Sequence, residues 1–128
     1  MKIAFSSSNG ISVDAHFGWT KVFYLYDVEE NCSKLLEVIE CAKEIEDEKE
    51  KLQYKIEMIE EADLMYCTQI GPTASKMVLA CGIHPVRVAE GEKIQSAITQ
   101  LQKMLAEEPP VWLLRIFHKA KAKETKCL

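Results

Sequence analysis

The segment KVFYLYDV, residues 21–28, is rich in aromatic and β-branched side chains, a composition that is typical of a β-strand. A shorter run of the same kind, KIAFS at residues 2–6, lies before it, and KLLEVIEC at residues 34–41 lies after it. The first connection contains Asn9-Gly10, a dipeptide that favours a turn. The first 41 residues therefore predict three strands that pair as an antiparallel meander.

The pattern changes after residue 41, where helical and buried-strand patterns alternate. Residues 44–61 are dense in Glu and Lys, and four isoleucine and leucine residues form one apolar helical stripe: Ile45, Leu52, Ile56 and Ile59. We interpret the charged residues as the solvated face of this helix. Two more strands, at residues 62–69 and 84–89, and two more helices are predicted. One helix begins at Gly71-Pro72 and ends near Gly82, and the other spans residues 92–105.

The predicted order βββαβαβα defines an α/β fold with a five-stranded mixed sheet. Crossovers between parallel strands are right-handed. If strand four pairs beside strand one, the sheet order is 3-2-1-4-5, with helices packed on it. Three loops then meet at one end of the sheet: SSSNG after strand one, HFGWT before strand two and QIGPT after strand four. Open α/β sheets bind ligands beyond strand ends at such switch points.

Length and charge limit the classes of function. A chain of 128 residues fits one domain, and its net charge of −4 argues against general nucleic-acid binding, which requires a basic face. The apolar runs are too short to cross a bilayer, and no signal peptide is recognisable, so we expect a cytoplasmic protein without a membrane partner. We predict a domain over residues 1–114 and a basic, flexible tail over residues 115–128.

The five cysteines are irregularly spaced and include no CxxC pair, so a zinc knuckle or a four-cysteine iron–sulfur site is not expected. Reduced thiols fit this pattern. Cys41 closes the third predicted strand, and Cys67 lies near the end of the fourth. Both are therefore candidate metal ligands at the loop-rich end of the sheet.

His16 is the imidazole at that end, and neutral imidazole is the commonest protein metal ligand. Asp14 could fix its tautomer, and Gly18 would allow a bulky ligand to approach the backbone. The helix beginning at Gly71-Pro72 offers free N–H groups to an anion. The alternative is that His16 is simply a packed or surface histidine. The predicted cofactor-binding residues are Ser7, Asn9, Asp14, His16, Phe17, Gly18, Gly71, Pro72 and Thr73, and the predicted metal ligands are His16, Cys41 and Cys67.

Several separated blocks of sequence resemble one known family. The run VDAHFGW, residues 13–19, resembles the VDxHFG signature of the NifX-type proteins of the dinitrogenase iron–molybdenum cofactor biosynthesis family, which includes NifX, NifY and NafY. Further matches are KIAFSSSNG near the start, IGPTASKMVLACGIHPVRV at residues 70–88 and PPVWL at residues 109–113. The resemblance covers about residues 1–114, with the blocks in the right order.

The resemblance implies a ribonuclease-H-like sheet and a carrier rather than an enzyme. It implies transient binding of an iron–sulfur precursor of the iron–molybdenum cofactor, such as the NifB product, and its transfer to the NifEN scaffold. The cofactor-binding histidine of the HFG motif corresponds to His16. The family pattern does not include Cys41 or Cys67, and only the geometric argument supports these two residues as metal ligands.

Two other functions are compatible with such a sheet. A metal-dependent nuclease needs clustered carboxylates, yet KIAFS has none and Asp63 falls at the wrong end of strand four. A regulatory or interaction module of nitrogenase assembly could instead bind partner proteins without carrying a cluster. The sequence does not predict the oligomeric state.

Overall fold

The structure, a computed structural model, describes residues 1–126, and their side chains as far as Lys123. This part of the chain forms seven strands, four α-helices and one 3-10 turn. The strands are β1 (Lys2–Ser6), β2 (Ser12–Val13), β3 (Val22–Val28), β4 (Ser33–Glu40), β5 (Leu64–Cys67), β6 (His84–Arg87) and β7 (Glu92–Lys93). The helices are α1 (Glu48–Met58), α2 (Pro72–Ala80), α3 (Ile94–Ala106) and α4 (Val111–Lys126), and the 3-10 turn is Phe17–Trp19.

The main sheet has the strand order β4-β3-β1-β5-β6. β3 is antiparallel to both β1 and β4, whereas β1, β5 and β6 are parallel to one another. Counted without the short strands β2 and β7, this is the order 3-2-1-4-5 expected from the sequence. β2 and β7 pair as a separate two-stranded sheet that the sequence analysis did not predict.

Two hydrophobic layers cover the two faces of the main sheet. Side chains alternate along a strand, so Ile3 and Phe5 of β1 belong to one core cluster and Ala4 belongs to the other. The first cluster includes buried residues of α3 and α4, and the second includes buried residues of α1 and α2. The mixed α/β fold is therefore confirmed, with helices on both faces of the sheet.

The helix boundaries follow local capping chemistry. The side chain of Asp47 accepts a hydrogen bond from the backbone N–H of Glu50 at 3.0 Å and so caps α1. Pro72 occupies the first turn of α2, and Gly82 follows its end with φ of +81°, a conformation that favours glycine. α1 is shorter at both ends than the helix predicted over residues 44–61, because residues 44–47 are not helical and residues 59–61 form a turn.

The prediction of a flexible tail over residues 115–128 is wrong for residues 115–126, because these residues belong to α4. Leu113, Phe117 and Ala120 recur at helical spacing and are buried in the first core cluster. Lys123 also lies 3.1 Å from the carboxylate of Asp63, which is buried at the start of β5. A domain boundary at residue 114 would therefore cut through the core, while Cys127 and Leu128 lie outside the described residues.

None of the helices within residues 1–126 is both long and apolar enough to cross a membrane.

Candidate functional site

The loops that the sequence predicted to meet do lie together at one end of the sheet. The backbone N–H of Phe17 donates to the carbonyl oxygen of Gln69 at 2.9 Å, and that of Thr68 donates to Ala15 at 3.1 Å. The N–H of Asp14 donates to the carbonyl oxygen of Ser6 at 3.2 Å. The segment that carries His16 is thus tied to the ends of both β1 and β5, the two central parallel strands.

The 3-10 turn after His16 is anchored by Phe17. Its side chain is fully buried, and its ring centroid lies 5.9 Å from that of Phe23 in the second core cluster. The hydroxyl of Thr20 closes the turn by donating to the carbonyl oxygen of His16 at 2.8 Å. Phe17 was predicted to bind the cofactor, but its buried side chain instead fixes the position of its neighbour His16.

The imidazole of His16 lies against the indole of Trp19. The two ring centroids are 4.7 Å apart and the ring planes differ by 7°, so the rings are stacked. Trp19 is 74% exposed, and His16 is half-buried. Among the described residues no group hydrogen-bonds to the imidazole nitrogens, so Trp19 covers one face of the ring while its nitrogens are available to a ligand.

Asp14 does not orient His16 as predicted. Its carboxylate accepts hydrogen bonds from both the backbone N–H of Ser8, at 3.0 Å, and the Ser8 hydroxyl. These bonds close the loop after β1. Asp14 is therefore a structural residue of this loop, and the tautomer of His16 is not set by it.

The hydroxyl of Ser7 and the side-chain oxygen of Asn9 are also hydrogen-bonded within the loop. The Ser7 hydroxyl accepts from the N–H of Gly10 at 2.9 Å, and Oδ1 of Asn9 accepts from two following backbone N–H groups. Gly10 has φ of +76°, and an added Cβ would lie 2.7 Å from the ring of Tyr24. Only glycine fits here, and the loop is preformed rather than free to wrap a ligand.

The structure brings Gly18 and the beginning of α2 together around an open cleft of about 440 Å³. A Cβ added at Gly18 or at Gly71 would meet no atom within 4 Å, so the backbone can be approached closely at both positions. The remaining residues of the cleft include the predicted Pro72 and Thr73, together with Glu48, Lys49, Leu52 and Ala74. The part of the predicted site formed by Gly18, Gly71, Pro72 and Thr73 is therefore assembled and accessible.

The predicted set of three metal ligands does not assemble. Cys67 is fully buried in the second core cluster, and burial raises the pKa of its thiol to about 11. Cys41 is 7% exposed, and burial raises its pKa too, opposed by the nearby cation of Lys55. No three His, Cys, Asp or Glu side chains within the described residues are placed to hold a metal ion. His16 is the one predicted ligand with accessible donor atoms.

Lys55 is a residue of this site that the sequence analysis missed. Its side chain is buried, and its Nζ donates to the carbonyl oxygens of Phe17 at 3.2 Å and Gly18 at 2.5 Å. Burial and the nearby Lys51 lower its pKa to about 8. A signal was available, because Lys55 falls on the apolar stripe formed by Leu52, Ile56 and Ile59, where a lysine needs a buried partner.

Fold and site define a class: a small α/β protein that presents one imidazole and one helix N-terminus at the loop-rich end of a mixed sheet. Comparison with known proteins then identifies the family. The family described as dinitrogenase iron-molybdenum cofactor matches residues 1–104, and the chain belongs to this family.

Individual relatives agree with the family assignment. Protein NifX of Azotobacter vinelandii is 33% identical over 98% of this chain and 80% of its own length. Protein NifX of Herbaspirillum seropedicae is 32% identical over 93% of this chain and 83% of its own. Among solved structures, PH0822 has a TM-score of 0.63 at 24% identity, covering 80% of this chain and 89% of that chain, which supports the fold.

Proposed function

We propose that this chain transiently binds an iron–sulfur precursor of the iron–molybdenum cofactor through His16 and hands it on during nitrogenase cofactor biosynthesis. The observation that carries this proposal is the placement of His16. A buried lysine and two backbone hydrogen bonds hold its turn in place, yet its ring nitrogens have no partner among the described residues. Membership of the dinitrogenase iron-molybdenum cofactor family supports this class of cargo.

The accessible donor set suits a carrier better than a permanent cluster site. Iron–sulfur clusters that remain in a protein are usually held by several thiolates. Here both predicted cysteine ligands are buried, and one imidazole is accessible. A single nitrogen ligand, assisted by the free N–H groups at the start of α2, would hold an anionic cluster while still allowing its release. We further propose that NifB supplies the cargo, that NifEN accepts it, and that the sheet is of the ribonuclease-H-like class.

A second candidate is an interaction module of nitrogenase assembly that carries no cluster. It is favoured by the lack of a three-ligand metal site within the described residues and by the exposure of Trp19 at the loop-rich end of the sheet. In that case the loop-rich end would contact NifEN or another assembly protein directly.

Anaerobic gel filtration after mixing the pure protein with NifB product separates these functions. A carrier is expected to elute with iron and with broad visible absorption, and to lose both when apo-NifEN is added. If the protein elutes without iron at every ratio of cargo to chain but co-elutes with NifEN, the carrier function is rejected and the interaction module is supported.

A further inference from the structure

A second cleft, of about 250 Å³, borders the same 3-10 turn on its Trp19 side. Four lysines from three separate segments line it: Lys21 before β3, Lys43 after β4, and Lys51 and Lys55 on α1. The lining includes one carboxylate, that of Glu44. Lysines that are distant in sequence are therefore gathered around one concave surface, in a chain whose net charge is −4.

The positive charge of this cleft is not neutralised by ion pairs. Within the described residues, none of the four lysines lies within 4 Å of a carboxylate oxygen. Lys55, at the base of the cleft, is partnered by carbonyl oxygens. Burial is the largest cause of the lowered pKa of Lys55, and the cations of Lys51 and Lys21 lower it further, against the opposing charges of Cys41 and Glu48. Lys51 and Lys21 therefore repel the cation of Lys55. An anion in the cleft would relieve that repulsion.

The walls of the cleft are connected to each other. The backbone N–H of Lys43 donates to the hydroxyl oxygen of Tyr54 at 3.3 Å, which joins the segment after β4 to α1. The Tyr54 hydroxyl hydrogen can in turn be donated to a ligand. The backbone N–H of Cys41 donates to the carbonyl oxygen of Lys21 at 2.7 Å, which joins the segment before β3 to the segment after β4.

We propose that this cleft binds a small anion with two or more negative charges, either a tetrahedral oxyanion or a small polycarboxylate. Its volume corresponds to roughly eight water molecules, which suits ligands of that size. Ammonium groups on a flexible stem bind such anions as point charges from several directions. This site is distinct from the imidazole of His16 and requires no cluster for its test.

Isothermal titration of the apo-protein with sulfate and, separately, with citrate tests this proposal at constant ionic strength in chloride buffer. Saturable binding of one anion per chain is expected for at least one of the two probes. Tighter binding of sulfate identifies an oxyanion site, and tighter binding of citrate identifies a polycarboxylate site.

The double variant Lys43→Gln with Lys51→Gln should bind the preferred anion at least about tenfold more weakly, because two charged contacts are lost. The matched control, Lys34→Gln with Lys76→Gln, makes the same change in net charge at exposed positions outside the cleft and should bind like the parent. Both changed cleft residues retain solvent exposure, and a melting curve checks the fold. Equal weakening in the two double variants, or no saturable binding of either probe by the parent, would overturn the proposal.

Discussion

Nζ of Lys55 lies 2.5 Å from the carbonyl oxygen of Gly18, so a buried cation on α1 supports the turn that presents His16. Burial lowers the pKa of Lys55 to about 8, from an ordinary value of 10.5. Below pH 8 both the native and the unfolded chain carry this charge. Between pH 8 and pH 10.5 the unfolded chain holds the extra proton, so the free energy of unfolding rises with pH.

The first prediction uses this pH dependence. From pH 7.5 to pH 9 the contribution of Lys55 to the free energy of unfolding should increase by about 1 kcal/mol, and Lys55→Met should lack this increase. Cys67 changes the free energy of unfolding in the opposite direction. Its pKa is raised from 9.0 to about 11, so above pH 9 the unfolded chain loses this proton first and the free energy of unfolding falls. Because burial raises the pKa of Cys41 and the cation of Lys55 opposes this, Lys55→Met is compared with its parent in a Cys41→Ala background. Urea unfolding at both pH values then isolates Lys55, since Cys67 is common to the two proteins. If the free energy of unfolding changes equally with pH in the two proteins, the pKa of Lys55 is not lowered in the folded chain.

The second prediction concerns the indole that covers His16. In a Trp112→Phe background, where Trp19 is the remaining tryptophan, cluster binding should quench the fluorescence, because the indole stacks 4.7 Å from the imidazole proposed to bind the cargo. The complementary background, Trp19→Phe, retains Trp112, which stacks on His84, and should respond much less. Equal quenching in the two backgrounds would place the cargo elsewhere.

The third prediction tests the role of α4. Phe117→Ala should lower the free energy of unfolding by about 3 kcal/mol, because a buried aromatic side chain is removed from the first core cluster. His118→Ala, at the adjacent exposed position, should change it by less than about 0.5 kcal/mol. Urea denaturation measures both. If Phe117→Ala is as stable as His118→Ala, α4 is not part of the folded core.

Much of the fold is predictable because its strands and helices follow simple periodicities. The aromatic run at residues 21–28 and the alternation that follows residue 41 suffice for the order of elements. Pairing of the fourth predicted strand beside the first then brings the loops to one end of the sheet. α4 was missed for a physical reason. Its basic side chains give a composition typical of a frayed end, although Leu113, Phe117 and Ala120 are spaced to bury one face.

The site was less predictable, because its details depend on contacts between distant segments. That Asp14 bonds to Ser8 rather than to His16 depends on the conformation of a turn. The burial of Cys67 depends on which face of β5 it occupies and on the helices that cover that face. The position of Lys55 beneath residues 17 and 18 joins parts of the chain separated by more than 30 residues.

The measurement that tests the central claim most directly is the affinity of the chain for NifB product, titrated anaerobically and followed by visible absorption. His16→Ala should bind at least about tenfold more weakly than the parent while keeping its melting temperature, because the accessible nitrogen ligand is lost. His118→Ala, which removes an exposed imidazole from α4, should bind like the parent, and so should Cys41→Ala and Cys67→Ala. If His16→Ala binds the cargo as tightly as the parent does, His16 is not the ligand and the proposed site is wrong.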